Sequence, residues 1–298
     1  MGVRLFFYFL TVIAILIVGA ITISIICSAL GYPLNTQDLM VCIGSMAVYG
    51  IGGSLVSLFA SKSSVMRSMR VQLITQPENE GEKWLVDTIR KIADKKGLKM
   101  PDVGIYDAPE MNAFATGWNR DSALVAVSTG LLKAMNPKQV EAVLGHELSH
   151  VDNGDMVTLT LVQGVVNTFV LTFSSIAASI ITAVMNQGKS QSRGSVSSGM
   201  ANNTLFYVMQ TLFGFLGTAV VMWFSRYREY RADAGSADVL GKDSMISALE
   251  ALKGDSSPVV KKSRVVKALC INSRDFGELF MTHPPLDKRI KALQERPN

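Results

Sequence analysis

His146, Glu147 and His150 form a His-Glu-x-x-His run in a 298-residue chain that holds three histidines in all. On a helix, positions i and i+4 lie one turn apart on one face, so the two imidazoles project side by side and can hold one ion. Zinc takes imidazole nitrogens at about 2.0–2.1 Å, a distance that two histidines on one rigid helix reach with little ordering cost. The expected cofactor is one Zn2+ per chain. Glu147 flanks the same face, where it can take a proton from a water on the metal and later hand it to a leaving amine. Zinc would lower the pKa of that water from about 15.7 to near 7, which makes hydroxide available at neutral pH. The competing explanation is a chance run on an exposed helix face. Two of the three histidines falling here, on a helix predicted for independent reasons, weigh against it.

Those independent reasons are local. Asn136 precedes Pro137, and Gln139 stands at the third helical position, the pattern of a helix start with a capping box. A catalytic zinc also needs a third protein ligand and an open position. His150 lies six residues before the apolar run that starts at Met156, and Glu229 five residues after the run that ends at Phe224. If those runs pair as a hairpin, the two positions emerge at one surface, which makes Glu229 the candidate third ligand. Asp233, one turn further on, could accept the second ring N–H of a ligating histidine. By spacing alone the other reading stands level: both acids pair with Arg226, Arg228 and Arg231 on a solvated helix.

The wider composition is 48% apolar and 18% charged, with net charge +5 and mean hydropathy +0.27, too apolar for an ordinary soluble chain. Asp38 is the one charged side chain from residue 5 to 61, and Lys189 and Arg193 are the two from 156 to 224. Disorder, collagen-like repeats and a purely soluble enzyme are excluded by that distribution. Residues 5–30 would form a helix of about 39 Å, enough to cross a hydrocarbon core of roughly 30 Å and too long for a cleaved signal peptide. A second span covers 39–60, where Gly50, Gly53, Ser54 and Ser57 form small-xxx-small pairs, read either as a close helix contact or as ordinary helix flexibility. A third covers 156–185, with Gln163 and Asn167 on one face that should point toward protein or a wet cavity. A Gly/Ser/Asn-rich stretch from 187 to 203 reads as a flexible loop before a fourth span, 205–224. Lys62, Arg67 and Arg70 follow span two and Arg226, Arg228 and Arg231 follow span four, so the positive-inside rule puts the termini and the zinc site in the cytoplasm.

The expected architecture is a mainly α integral membrane protein, with four transmembrane helices in two hairpins and a cytosolic α+β, zincin-like domain carrying a small sheet. Its parts are a membrane hairpin, 1–61, a cytosolic part with the histidine helix, 62–155, a second hairpin, 156–224, and a C-terminal cytosolic part with the third ligand, 225–298. Residues 79–96 read as an amphipathic helix, with Trp84, Leu85, Ile89, Ile92 and Ala93 at helical spacing before Gly97. The segments 103–106, 111–116 and 124–128 read as short strands.

Four segments in order, His146-Glu147-Leu148-Ser149-His150, Arg228 to Ala237 with Glu229 and Asp233, Thr282-His283-Pro284-Pro285, and Asn112 to Gly117, give the chain a resemblance to the HtpX family of bacterial membrane proteases, relatives of the CaaX prenyl proteases. The resemblance covers essentially the whole chain, including four apolar runs in the same order. It implies His146, His150 and Glu229 as the zinc ligands, Glu147 as the general base and Asp233 as the acid of the second motif. It also implies that Asn112, Ala113, Phe114 and Ala115 form a strand along which an extended peptide substrate aligns. His283 and Arg289 fit a His-Pro-Pro and arginine arrangement at the rim of such sites, stabilising the oxyanion. Read without the resemblance, 112–115 is an ordinary half-buried strand and His283-Pro284-Pro285 a cap and turn before an amphipathic helix, 286–294.

The function expected from residues and resemblance together is a zinc endopeptidase of the bacterial inner membrane with a cytoplasmic active site. Its partners are the lipid bilayer and polypeptide substrates, chiefly misfolded or damaged membrane proteins cleared in stress-related quality control, with no nucleic acid. The alternatives are a narrow-specificity prenyl-protein protease, a transporter that merely holds zinc, and a non-catalytic zinc-binding membrane protein. Four charge-free spans argue against a transporter, and the presence of Glu147 against a scaffold.

Overall fold

In the computed structural model, which describes residues 36–186, 196–254 and 283–297 and the single positions 21, 25 and 28, chain contacts separate two units. One comprises Met1–Leu55 and Leu161–Val220, the other Val56–Thr160 and Val221–Asn298. The described elements run α1 (Thr36–Met69), β1 (Gln72–Leu73), α2 (Glu80–Lys95), β2 (Asp102–Tyr106), β3 (Ala113–Thr116), β4 (Leu124–Ser128), α3 (Thr129–Ala134), α4 (Pro137–Asn153), α5 (Asp155–Asn186), α6 (Val196–Leu240), α7 (Lys242–Gly254) and α8 (Leu286–Gln294).

The first unit contains the apolar stretches of α1, α5 and α6. Three described helices are long and apolar enough to cross a membrane, over Met40–Met69, Asp155–Thr182 and Asn203–Leu240. Val41, Val48, Tyr49, Leu212, Phe215 and Leu216 stand exposed along them, an apolar surface that water does not accommodate but lipid does. The small residues of α1 behave unequally. A side chain at Gly50 would come within 2.6 Å of the Thr168 backbone nitrogen, whereas one at Gly53 would meet nothing within 4 Å. Gln163 Nε2 donates to Asn167 Oδ1 at 2.7 Å, and Asn167 Nδ2 to Ser54 Oγ at 3.3 Å. Asn167 thus faces protein at Ser54 of α1, and Gln163 bonds to it along the shared helix face. The expected first span, 5–30, lies outside the described residues apart from Ile21, Ile25 and Ser28, which are helical. Residues 196–203, expected as loop, are the first two turns of α6, because the long apolar run that follows carries the helix back through weak formers.

The second unit is built on a four-stranded sheet in the order β1-β2-β4-β3, with β2 and β4 parallel and the outer pairings antiparallel. Every residue of β4 is buried, as a central strand covered on both faces requires. Its alternating side chains divide between two cores. Val125 and Val127 pack with Leu85, Ile89, Leu144 and Leu148 of α2 and α4, while Ala126 packs with Tyr106, Phe114 and the end of α1 at Val65 and Met69. Asn79 caps α2 by accepting from the Glu82 backbone N–H. Asn136 and Gln139 form the reciprocal capping box at the start of α4, and Gly154, at φ 69°, ends that helix in a left-handed turn that only glycine enters without strain. Against this core pack α7, through Met245, Leu249 and Leu252, and α8, through Ile290 and Leu293.

Candidate metal centre

The histidine helix α4 and the acidic segment of α6 cross at very small side chains. A Cβ on Gly145 would lie 2.7 Å from Ser236 Oγ, and one on Gly235 would lie 2.7 Å from Ser149 Oγ. Ser236 Oγ donates to the Ala142 carbonyl at 2.7 Å, and Ser149 Oγ to the Gly145 carbonyl at 2.6 Å, so these hydroxyls are fixed parts of the contact. Backbones this close bring the side chains of both helices to one point.

At that point His146, His150 and Glu229 each offer one ligand atom, all within 4.8 Å of one another. His146 Nε2 and His150 Nε2 are 3.2 Å apart, and they lie 3.4 and 3.3 Å from the two oxygens of Glu229. Four ligands at about 2.0–2.1 Å around a tetrahedral ion stand roughly 3.3–3.4 Å from one another, the spacing seen here.

The other ring nitrogens decide the tautomers. His146 Nδ1 is 2.9 Å from Asp233 Oδ1, and His150 Nδ1 is 2.7 Å from Asp155 Oδ2. Each carboxylate holds a proton on Nδ1, so a neutral ring turns its Nε2 lone pair toward the other ring. With both rings neutral, as ligation requires, two lone pairs aimed at a shared point beside a carboxylate are the donor set of a metal ion. Glu229 Oε2 is buried and completes no hydrogen bond among the described residues, with His283 Nδ1 2.6 Å and Arg289 Nη1 3.4 Å away. The residues fit a metal ion held by His146, His150 and Glu229.

Around this centre the structure sorts the remaining candidates. Asp233 accepts two hydrogen bonds from Arg289, from Nε at 2.8 Å and Nη2 at 2.6 Å. Arg289 was expected at the rim facing an oxyanion, but it is 1% exposed and clamped on Asp233, because a buried carboxylate serving a histidine needs a cation of its own. Burial disfavours the Arg289 guanidinium, and the charge of Asp233 and its hydrogen bonds outweigh this and raise its pKa. His283 lies just before α8 with Nδ1 2.6 Å from Glu229 Oε2, and neither atom completes a hydrogen bond. The cap-and-turn reading also holds, since α8 runs Leu286–Gln294 with Pro285 at its N-cap.

Glu147 points to the sheet side, where its Oε2 accepts from the Ala115 backbone N–H at 2.8 Å. Burial pushes its carboxyl above the usual range, and the neighbouring His146 and His150 pull it back. Asn112 to Ala115 lie on and beside β3, with Asn112 Nδ2 donating to Tyr106 Oη at 2.7 Å. Of the arginines in the rival pairing, Arg228 donates to the Asp155 carbonyl at 2.9 Å and Arg231 to Asn153 Oδ1 at 3.1 Å. Sequence reasoning missed Asp155. Its signal is a carboxylate directly after the glycine that ends the histidine helix.

The pattern of Peptidase family M48 matches residues 79–297, nearly three quarters of the chain. The chain belongs to peptidase family M48. As a member of that family it is a membrane metalloprotease, and among the described residues His146, His150 and Glu229 are the cluster suited to the metal. Its similarity to relatives runs end to end. It is 48% identical to Protease HtpX of Aeromonas hydrophila and of Tolumonas auensis, over 98% of this chain and 99% of each of those proteins. With Protease HtpX of Escherichia coli K12 it is 46% identical, over 98% of this chain and 97% of the other. The resemblance expected from four motifs is therefore borne out over the full length. In fold, this M48 chain is similar to the crystal structure of S. mikatae Ste24p, with a TM-score of 0.61 at 18% identity. That similarity covers 98% of this chain and 66% of the other.

Proposed function

We propose that the chain is a zinc endopeptidase of the bacterial inner membrane, crossing the bilayer four times with its termini and active site on the cytoplasmic side. Its substrates are misfolded or damaged membrane proteins, removed as quality control under stress. The observation that carries the reading is the convergence of two histidine nitrogens and a carboxylate within 4.8 Å, from two helices, beside the buried acid Glu147.

Zinc bound by His146, His150 and Glu229 supplies a Lewis acid that polarises the scissile carbonyl and activates water. Glu147 takes the proton released by the attacking water on its carboxylate and delivers it to the nitrogen of the leaving amine. Its raised pKa suits a group that must first accept a proton and then give it up near neutral pH. Asp155 and Asp233 hold the two imidazoles in the tautomer and rotation that ligation needs, and Arg289 holds Asp233. His283, with 14% of its side chain exposed, is the group beside Glu229 able to donate a hydrogen bond to a developing oxyanion. Asn112 to Ala115 take the substrate as an added strand.

The test is cleavage of an unfolded membrane protein by detergent-purified wild type and Glu147→Gln, with zinc quantified in each. Zinc in both and cleavage by wild type alone is the expected result. Cleavage by Glu147→Gln at the wild-type rate would refute the role of Glu147, and a folded wild type that binds no zinc would refute the ligand set. For sidedness, a cysteine placed at Ser195 should react with impermeant reagents added outside the cell. Protection there would refute four spans.

A further inference from the structure

The ladder between β3 and β4 pairs Ala113 with Val127 and Ala115 with Val125. Just before it, the Ser128 N–H donates to the Asn112 carbonyl at 2.9 Å, which sets the phase. Hydrogen-bonded and non-hydrogen-bonded pairs alternate along an antiparallel ladder. Phe114 and Thr116 therefore bond to β4, and the N–H and C=O groups of Ala113 and Ala115 point away from it. Among the described residues β3 is an edge strand, so these four groups are the positions a further strand would use. One of them is already occupied: the Ala115 N–H donates to Glu147 Oε2.

We propose that the Ala115 backbone N–H is the positioning group for Glu147 and that, by taking this edge position, Glu147 sets the register in which a bound peptide meets the base. The inference rests on the reading of Glu147 as proton acceptor and of β3 as the docking strand. A glutamate side chain has three rotatable bonds, and a charge-assisted hydrogen bond from rigid sheet backbone fixes the carboxylate more tightly than packing alone. The same bond interrupts the ladder. A peptide added antiparallel to β3 exchanges two hydrogen bonds with Ala113, and its carbonyl two residues nearer the peptide N-terminus would next accept from Ala115. That donor is engaged, so this carbonyl stays off the ladder and faces the base. Strand pairing ends where hydrolysis begins, and the residue paired with Ala113 is the second one on the amine side of the cut bond.

Two replacements remove the Ala115 N–H and leave the ladder to β4 intact. Ala115→Pro is compatible with an outward-facing edge position, and an ester in place of the Phe114–Ala115 amide is isosteric. The full-length protein in detergent, zinc-loaded, is assayed on a defined peptide for kcat, KM and zinc content, beside wild type and Glu147→Gln. The expected result is a loss of about 10- to 100-fold in kcat for both replacements, with KM and zinc content unchanged. On wild type, peptides N-methylated at single residues should show the largest rise in KM when the second residue after the cut is methylated. An ester variant with wild-type kcat, or one with raised KM and unchanged kcat, overturns the positioning role. Equal KM across the methylated peptides overturns the register. Failure of the underlying reading has a different signature, activity retained by Glu147→Gln.

Discussion

Removing the Asp155 carboxylate separates what a histidine's outer partner does for metal binding from what it does for the fold. Asp155 is 2% exposed, and its side chain serves His150 alone among the described ligands, at 2.7 Å. The Arg228 bond to the Asp155 backbone carbonyl survives truncation, so the start of α5 stays tethered in Asp155→Ala. The loss should fall on the ligand: without the carboxylate, His150 is less basic and free to rotate. Metal affinity drops by about 10- to 100-fold, which is roughly 1.4–2.7 kcal/mol. Asp233→Ala does the corresponding damage to His146 and also strands Arg289, a guanidinium at 1% exposure that loses both of its short bonds. Breaking a buried charge pair costs about 3–5 kcal/mol, and the 3.4 Å ion pair that Arg289 keeps with Glu229 offsets only part of it, so that variant loses fold stability before its metal affinity can be read. Competition with a chromophoric chelator in detergent gives the metal Kd, and thermal melts without metal give the stability. A Kd for Asp155→Ala within twofold of wild type would refute the role of the pair. So would an Asp233→Ala protein as stable as Asp155→Ala.

Burial disfavours the His150 imidazolium, but the charge of Glu229 and hydrogen bonds to Asp155 and Glu229 outweigh it and raise the metal-free pKa to about 10; His146 is raised too, by Asp233 and Glu229 against its burial. His150 then holds a proton on both ring nitrogens at pH 7 in the metal-free protein, so metal uptake must release a proton and tighten as pH rises; calorimetry in buffers of different ionisation enthalpy measures this, and zero release would contradict it. The stabilisation that the His150 proton gives the metal-free fold is complete below about pH 6.5 and fades as pH climbs through about 10. Stripping the metal with a chelator should abolish cleavage and lower Tm, both restored by added zinc, since an ion that binds only the folded state stabilises it. In the apolar unit, Gly50→Ala should destabilise by about 1–3 kcal/mol, because its new methyl meets the Thr168 backbone, while Gly53→Ala, in open space, should not; melts of the two proteins in detergent decide this.

The features legible in the sequence are those written in a few adjacent residues. The Asn136 capping box and the amphipathic helix before Gly97 emerged where their spacing required, and the His146–His150 pair follows from one helical turn. Glu229 was harder, since 78 residues separate it from His150 and only a hairpin assumption joined them; α5 and α6 do return the chain to the same point. Asp155 left a weaker trace because it sits past the left-handed turn at Gly154, outside the helical spacing that links the other site residues. Arg289 looked like a rim residue because one arginine in a charged helix face resembles its neighbours, and only the packed structure shows which carboxylate needs it. Strand β1, two residues long, exists by its pairing to β2 rather than by any pattern of its own. The Ala115 bond to Glu147 is made by backbone, which every sequence has alike.

The crossing of α4 and α6 at Gly145 and Gly235 has a consequence for which ions the centre accepts. The glycines and the two bound serine hydroxyls leave no room for a methyl group, so the separation of the two helices is set by glycine against serine side chains that hydrogen bonds hold in place. His146 and Glu229 are each anchored within a turn or three of that contact, and their outer ring and carboxylate neighbours are themselves fixed. The aperture between ligand atoms is therefore a rigid gauge. An ion with bonds near 2.0–2.1 Å fits it as it stands, whereas calcium, at about 2.3–2.6 Å and with six to eight ligands, would have to pry the helices apart. Discrimination by size is thus stored in two residues that have no side chain to touch the metal.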